Sequence, residues 1–420
     1  MMAFLLLGIS ALPRTSHLGA HIAHLPPRSR VAARLAPDNG TSIPAGGAVW
    51  PTAIYWSLVQ VGTPPIDVPA AIDSGSGDLD VGAKGCVGCV TTPPNNPYDP
   101  AASSTSAAAA PYKFSNTYET CDLKNPTAPC TISGSLYHDQ VSLAGLGPVS
   151  VRFGAIEKQT DNFDQFKEID GVVGFTGGGD ENVFAQLVKS GACDNVWAMC
   201  INNAGAMSNG TLTIGGVDSR LSRTPVAYVP DVGKGFHSVQ VESFLLGNGT
   251  SLLANASGER AVRSVPVDAA AILDTGTNVL LLPPRLLRAL GDAMCSDGSL
   301  ASCDALWADT CVELSDAEVD AYPPLTLQLD GLPLRMSSRD YLLLGSPLAP
   351  SAGAYCLGIR SGGNLFIIGD TTMRNYYLVF DLARGQIGWG DVNLEPGGCG
   401  DVEAGDVAAE FAAARPAGKA

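Results

Sequence analysis

Two stretches, AAIDSGSG at residues 70–77 and AAILDTGTN at residues 270–278, decide how this chain folds. Each is an apolar, β-prone run closed by an aspartate, a small hydroxyl residue, a glycine and a second hydroxyl residue: Asp73-Ser74-Gly75-Ser76 and Asp274-Thr275-Gly276-Thr277. One such tetrapeptide is an ordinary turn. Two with matched apolar flanks form an internal repeat, the pattern that sets an architecture before any local signal does. The repeat continues downstream, because each aspartate is followed at nearly equal distance by two apolar residues and a glycine, Val172-Val173-Gly174 and Ile367-Ile368-Gly369. Two halves of like design are expected.

A carboxylate that closes an apolar strand is poorly solvated, which raises its pKa, and two such groups at hydrogen-bond distance cannot both ionise. They share one proton, with one acting as base and the other as acid. A water between them can then attack an amide carbonyl with neither a metal nor another cofactor. Asp73 and Asp274 are the candidate catalytic pair, and Ser74, Ser76 and Thr275 are candidates to brace it.

The rest of the chain agrees with a mainly β body. Short apolar, β-branched stretches such as IYWSLVQVG, GTLTIGG, HSVQVESFLLGNG and YYLVFD alternate with Gly/Pro/Asn/Asp turns, the composition of strands and hairpins. Helical patterns are few: Glu181 to Ser190 with Gly191 at its end, and Pro284 to Met294 with proline in its first turn. At 420 residues the chain exceeds the usual size of one core, so the expected fold class is all-β in two lobes. The expected segments are a signal peptide at 1–12, a basic leader or prosegment at 13–47, lobes at 48–220 and 221–396, and a flexible tail at 397–420.

Charge narrows the partners. Lys and Arg number 25 against 41 Asp and Glu, a net −16 that repels phosphate backbones, so no nucleic-acid partner is expected. The leader runs against this trend, with Arg14, Arg28, Arg30 and Arg34 against the single acid Asp38, as a prosegment docked by charge would. A flexible basic N-terminus would read the same way. No apolar run reaches the roughly 18 residues of a membrane span, so no stable membrane insertion is expected. Ala3 to Leu12 has the length of a signal-peptide core. Eleven cysteines and four sequons, at Asn39, Asn209, Asn248 and Asn255, suit the secretory pathway, ending outside the cell or in an acidic vacuole or lysosome-like compartment. Zinc is not expected: Cys86 and Cys89 form the one tight pair, with no second ligand pair at finger-like spacing. By nearness, disulfides are expected for Cys86 with Cys89, Cys121 with Cys130, Cys193 with Cys200, and Cys295 with Cys303.

With both Asp motifs, IDGVVGF (169–175), NVFAQLVKSG (182–191), GTLTIGGVD (210–218) and FIIGDTTMRNYYLVFDLARGQIGWG (366–390) in order, the sequence resembles the pepsin-like aspartic proteases from about Tyr55 to Val392. The resemblance implies two β lobes with the active cleft between them, one catalytic aspartate from each, and an extended protein or peptide substrate cleaved by a monomer. It implies further that Gly75, Gly276 and Thr277 bind the peptide backbone, and that Cys311 pairs with Cys356. Cys399 is then left over.

The sequence departs from the family pattern at the flap and beside the first motif. Where the family commonly has tryptophan, DSGSGDLD places Asp80, expected as a solvated loop carboxylate or a third acid at the cleft rim. Asn278 stands where serine is frequent. The family's flap tyrosine is best matched by Tyr118 in Thr117-Tyr118-Glu119-Thr120-Cys121, without the usual glycines, and a merely packed aromatic would fit there equally well. Two other functions compete with peptide hydrolysis: a catalytically silent, protease-shaped binding or inhibitor protein, and a glycoside hydrolase using two carboxylates. Both Asp motifs being intact speaks against the first. The duplicated motif and sparse aromatics, 7% of the chain, speak against the second.

Overall fold

The computed structural model describes residues 36–48, 54–89, 96–118, 130–160, 169–201, 209–247, 263–346 and 349–400. The expected signal peptide, most of the leader, Cys121, Asn248, Asn255 and the tail beyond 400 lie outside them. The described chain is mostly β, with a few short helices.

A thirteen-stranded sheet organises the molecule. From one edge it runs through Ala107–Tyr118, Cys130–Leu143, Leu146–Gln159, Leu79–Val87, Gly171–Gly174, Ile66–Asp73, Ile54–Val61, Thr41–Ala48, Gly210–Ile214 and Val196–Ile201. It then continues into strands from the end of the chain, Tyr376–Asp381 and Gln386–Asp391, and closes on Ala227–Pro230. A seven-stranded sheet carries the second Asp motif on Arg263–Leu273, and a three-stranded sheet joins Val312–Glu313, Ala354–Leu357 and Leu342–Leu344. Thr41–Ala48, expected in the leader, is thus a strand of the body. Its Thr41 to Ala45 pair with Ile214 to Gly210, and its far end pairs with Ile54–Val61.

The strands Val196–Ile201 and Tyr376–Asp381 join the two halves, with Tyr377 opposite Cys200 and Phe380 opposite Trp197. Alternation along Val196–Ile201 sorts its side chains: Trp197, Met199 and Ile201 enter the main core, whereas Val196, Ala198 and Cys200 enter a smaller cluster with Tyr377, Val379 and Cys399. On the main-core side Trp197 stacks on Phe380 at 4.0 Å between centroids and lies 4.4 Å from Phe175, so an aromatic column crosses from one half to the other. Both expected helices form. Val183–Ser190 is capped by the Asn182 side chain at its start and by Gly191, at φ 78°, at its end; the second spans Pro284–Cys295.

The same alternation corrects one expected disulfide. Cys86–Cys89, Cys295–Cys303 and Cys311–Cys356 are bonded. Cys200 bonds not Cys193 but Cys399, across 199 residues of sequence. Cys193 packs against the main core, on the side of the sheet away from Cys200, and is a free thiol. The chain is therefore anchored past 397, where a flexible tail was expected: Cys399 is buried, and the Gly400 N–H donates to Thr211 Oγ1 at 3.0 Å. Replacing both Cys200 and Cys399 by serine should cost about 2–5 kcal/mol in urea unfolding, given the length of the loop they close. Peptide mapping without reductant should recover Cys200 joined to Cys399; a Cys193–Cys200 peptide would refute that pairing.

Candidate active site

Each aspartate stands at the end of a strand whose neighbour runs parallel to it. Ile66–Asp73 pairs with Gly171–Gly174, Asp73 lying opposite Gly174, and Arg263–Leu273 pairs with Ile367–Ile368. After the Asp loop the chain returns along the far side of that same neighbour, as Leu79–Val87 in the first half and Leu280–Leu282 in the second. The apolar pairs of the repeat are therefore strands held inside the Asp loops. The glycine after them is required by space: a Cβ on Gly174 would lie 2.6 Å from the Ser76 carbonyl oxygen, and one on Gly369 would collide with the Thr277 carbonyl.

The two loops are bonded to each other by a reciprocal set of hydrogen bonds. Ser74 Oγ donates to the Leu273 carbonyl at 2.8 Å, and Thr275 Oγ1 donates to the Ile72 carbonyl at 2.7 Å. Each hydroxyl also accepts a backbone N–H from the opposite loop, Ser74 N to Thr275 Oγ1 and Thr275 N to Ser74 Oγ, both at 3.0 Å. All four bonds are buried, where an unpaired partner would cost about 1–3 kcal/mol.

Within each loop the carboxylate is held on both oxygens. Asp73 accepts from Gly75 N at 2.8 Å and Ser76 Oγ at 2.5 Å; Asp274 accepts from Gly276 N at 2.8 Å and Thr277 Oγ1 at 2.6 Å. Thr277 is buried, and its carbonyl accepts from Asp370 N. A Cβ on Gly75 would lie 2.6 Å from Asp274 Oδ1, and one on Gly276 would lie 2.8 Å from Asp73 Oδ1. Glycine at both positions is what lets the two carboxyls face each other. Burial, and then the neighbouring Asp274 carboxylate, push Asp73 up to about 7.

A third carboxyl is buried under the edge strand Ala107–Tyr118. Asp80, expected on a solvated loop or at the rim, is instead in the strand Leu79–Val87 and only 1% exposed. The strand's alternation turns it away from the core face of Leu79 and Val81, where the edge strand Ala107–Tyr118 covers it and Gly154 opposite it leaves room. Asn116 Nδ2 donates to Asp80 Oδ2 at 2.8 Å and Tyr118 OH donates to the same oxygen at 3.3 Å. Burial pushes Asp80 up to about 7. Tyr118 itself is partly buried, with a phenol held well above its ordinary pKa by burial and by Asp80, Asp73 and Asp78. Asn278 is buried, and its carbonyl accepts from Thr371 N and Oγ1.

Several buried or half-buried polar residues escape a motif search. Asn116 could have been found by counting back two from Tyr118, since alternate residues of a strand share a face. Asp170, in Ile169-Asp170-Gly171, is buried with Oδ2 unpaired, and burial pushes it up to about 7. Asp370, directly after Ile368-Gly369, is fully buried with both oxygens unpaired, and burial and Asp274 push it well up. The repeat already marked both positions, one two residues before its apolar pair and one just after its glycine. Of the sequons, Asn39 is exposed and Asn209 partly buried.

Two strand-end carboxyls, one from each half of the chain and locked by mirrored bonds, make a paired-carboxylate site. A family model described as eukaryotic aspartyl protease matches residues 54–392, and the chain belongs to that family. It is 24% identical over 351 residues to gastricsin of Mus musculus, covering 80% of each chain. It is also 24% identical over 339 residues to pepsin A of Sus scrofa, again covering 80% of each chain. With pepsin A of Bos taurus the identity is 26% over 348 residues, covering 80% of this chain and 83% of that protein.

The raised carboxyls fix the direction of a pH effect on stability. Asp73, Asp80 and Asp170 bind protons in the folded chain that the unfolded chain releases near pH 3.8. Their contribution is fully present below that value and is lost as pH rises through about 7, at about 1.4 kcal/mol per pH unit for each group. Asp218 and Asp231 are depressed by hydrogen bonds from Arg220 and His237, so their contribution is lost only on the acid side of the ordinary carboxylate range. Melting temperature should therefore fall steadily from pH 5 to pH 8, and Asp170→Asn should flatten that fall. A melting temperature unchanged across this range would mean the three carboxyls are ionised throughout.

Proposed function

We propose that the protein is an aspartic endopeptidase that hydrolyses peptide bonds of proteins with a water activated between Asp73 and Asp274. The observation that carries this reading is the mirrored, cross-braced pair of Asp loops, in which each carboxyl keeps its own two donors and faces the other. One carboxylate takes a proton from the water as it attacks the amide carbonyl, and the protonated partner donates to the carbonyl oxygen. The same groups, with roles exchanged, then protonate the leaving nitrogen. The braces hold both carboxyls through this exchange, which supports repeated turnover without reorganisation. Gly75 and Gly276 are proposed to meet the backbone of an extended peptide, Tyr118 to cover it, and Thr277 to act through Asp274.

Secretion, with the leader acting as a prosegment released in acid, fits the same reading. Ala36 is buried in the small cluster with Cys399, and Thr41–Ala48 is built into the sheet. Processing that leaves the fold intact therefore cuts before Ala36, which N-terminal sequencing of acid-treated protein can check.

Asp73→Asn and Asp274→Asn should each lower kcat on an unfolded protein substrate at pH 4 by at least about 100-fold while leaving the fold unchanged by circular dichroism. Activity of the parent chain should fall as pH rises through about 7, where Asp73 loses its proton. A variant keeping more than a tenth of parental kcat would remove that aspartate from the chemistry. A parent inactive on proteins across pH 3–8, before and after removal of the leader, would favour a binding role instead.

A further inference from the structure

The edge strand Ala107–Tyr118 pairs in the sheet with Cys130–Leu143 alone, along a register interrupted between Ala108 and Lys113. Its C-terminal end carries Phe114, Asn116 and Tyr118 on the face turned toward the body. Two of these three residues end on a single oxygen, Asp80 Oδ2, and the Asn116 amide reaches on to Asp78 Oδ2 at 3.3 Å. A buried carboxyl thus holds the Tyr118 end of an edge strand within electrostatic reach of Asp73, the position where the reading above puts Tyr118 over substrate. We infer that Asp80 is a positioning residue: its carboxyl ties Tyr118 and Asn116 to the wall of the site, and its ionisation sets how tightly.

The direction follows from the bonds. Both donors favour the ionised carboxyl, which makes the stronger acceptor. By reciprocity, ionising Asp80 tightens its hold on Tyr118, and protonating it loosens that hold. The groups facing Asp80 are few. Asp78 on its own loop repels its charge, and Tyr118 and Asn116 face it from the edge strand, with Asp73 beyond Tyr118. The strands on either side present Gly154 and Val172 at its register, neither of which titrates. Acid slackens the tether without breaking it, because a protonated Asp80 still accepts from Tyr118, and neutral pH tightens it.

This inference rests on the peptidase reading, so its test has one arm that needs no catalysis. Deuterium exchange of the 107–118 segment, corrected for the intrinsic pH dependence, should slow severalfold between pH 5 and pH 8 in the parent. It should show no such change in Asp80→Asn, which keeps an acceptor but cannot ionise. In the kinetic arm, at pH 4, Asp80→Ala and Tyr118→Phe should each lower kcat/KM about tenfold through kcat and KM together. Their combination should be no worse than the poorer single variant, and Asp80→Asn should recover most of the loss of Asp80→Ala. Exchange in Asp80→Asn that follows pH as the parent does, or losses that multiply in the double variant, would overturn the inference. A parent without peptidase activity would overturn the reading beneath it, while the exchange arm would still decide whether Asp80 holds the strand.

Discussion

Four short hydrogen bonds between the Ser74 and Thr275 loops are the constraint on which the rest of this molecule depends. They join side chains two hundred and one residues apart in the sequence, and each hydroxyl serves as donor to one backbone and acceptor from it. Neither loop can shift without stranding buried polar groups on the other. The strands that carry the loops, the apolar pairs threaded inside them and the glycines that admit those pairs all serve to bring these hydroxyls to the same place. Two buried carboxyls are thereby kept close, an arrangement that costs free energy and holds because the frame around it is over-determined.

Burying carboxyls is the recurring theme of this acidic chain. Asp80, Asp170 and Asp370 lie in the interior, the last two with oxygens that no donor reaches. An ionised carboxylate is costly in such a place, so burial pushes all three toward the protonated form. A fold built this way suits low pH for the same reason that its paired site does. The tuning is spread through the frame and is not confined to two residues.

Much of this was legible in the sequence, because the decisive features are local and repeated. The Asp motifs, the apolar pairs behind them, the two helices with Asn182, Gly191 and Pro284 at their ends, and the Cys86–Cys89 and Cys295–Cys303 disulfides follow from short-range pattern. What could not be read is whatever depends on which face of a strand a residue takes. Cys200 and Cys193 are close in sequence but lie on opposite sides of the sheet, so proximity misled. Asp80 seemed a loop residue because a charge in place of an aromatic suggests solvent, and its donors Asn116 and Tyr118 come from a strand that sequence alone does not bring near. Thr41–Ala48 carries glycine, proline and alanine in place of a β-branched run, and it is a strand because the slot between Gly210–Ile214 and Ile54–Val61 makes it one.

The shared sheet also has a consequence for biosynthesis. The edge of Val196–Ile201 is covered by Tyr376–Asp381, which leaves the ribosome only after most of the chain has been made. At elongation rates of about 5–20 residues per second, the first half waits several seconds or more with that edge unpaired and Trp197 without its stacking partner. An uncovered strand edge is a template for pairing with other chains. Until that strand arrives, the order of synthesis leaves this edge open to pairing with other chains, and slower translation lengthens the exposure.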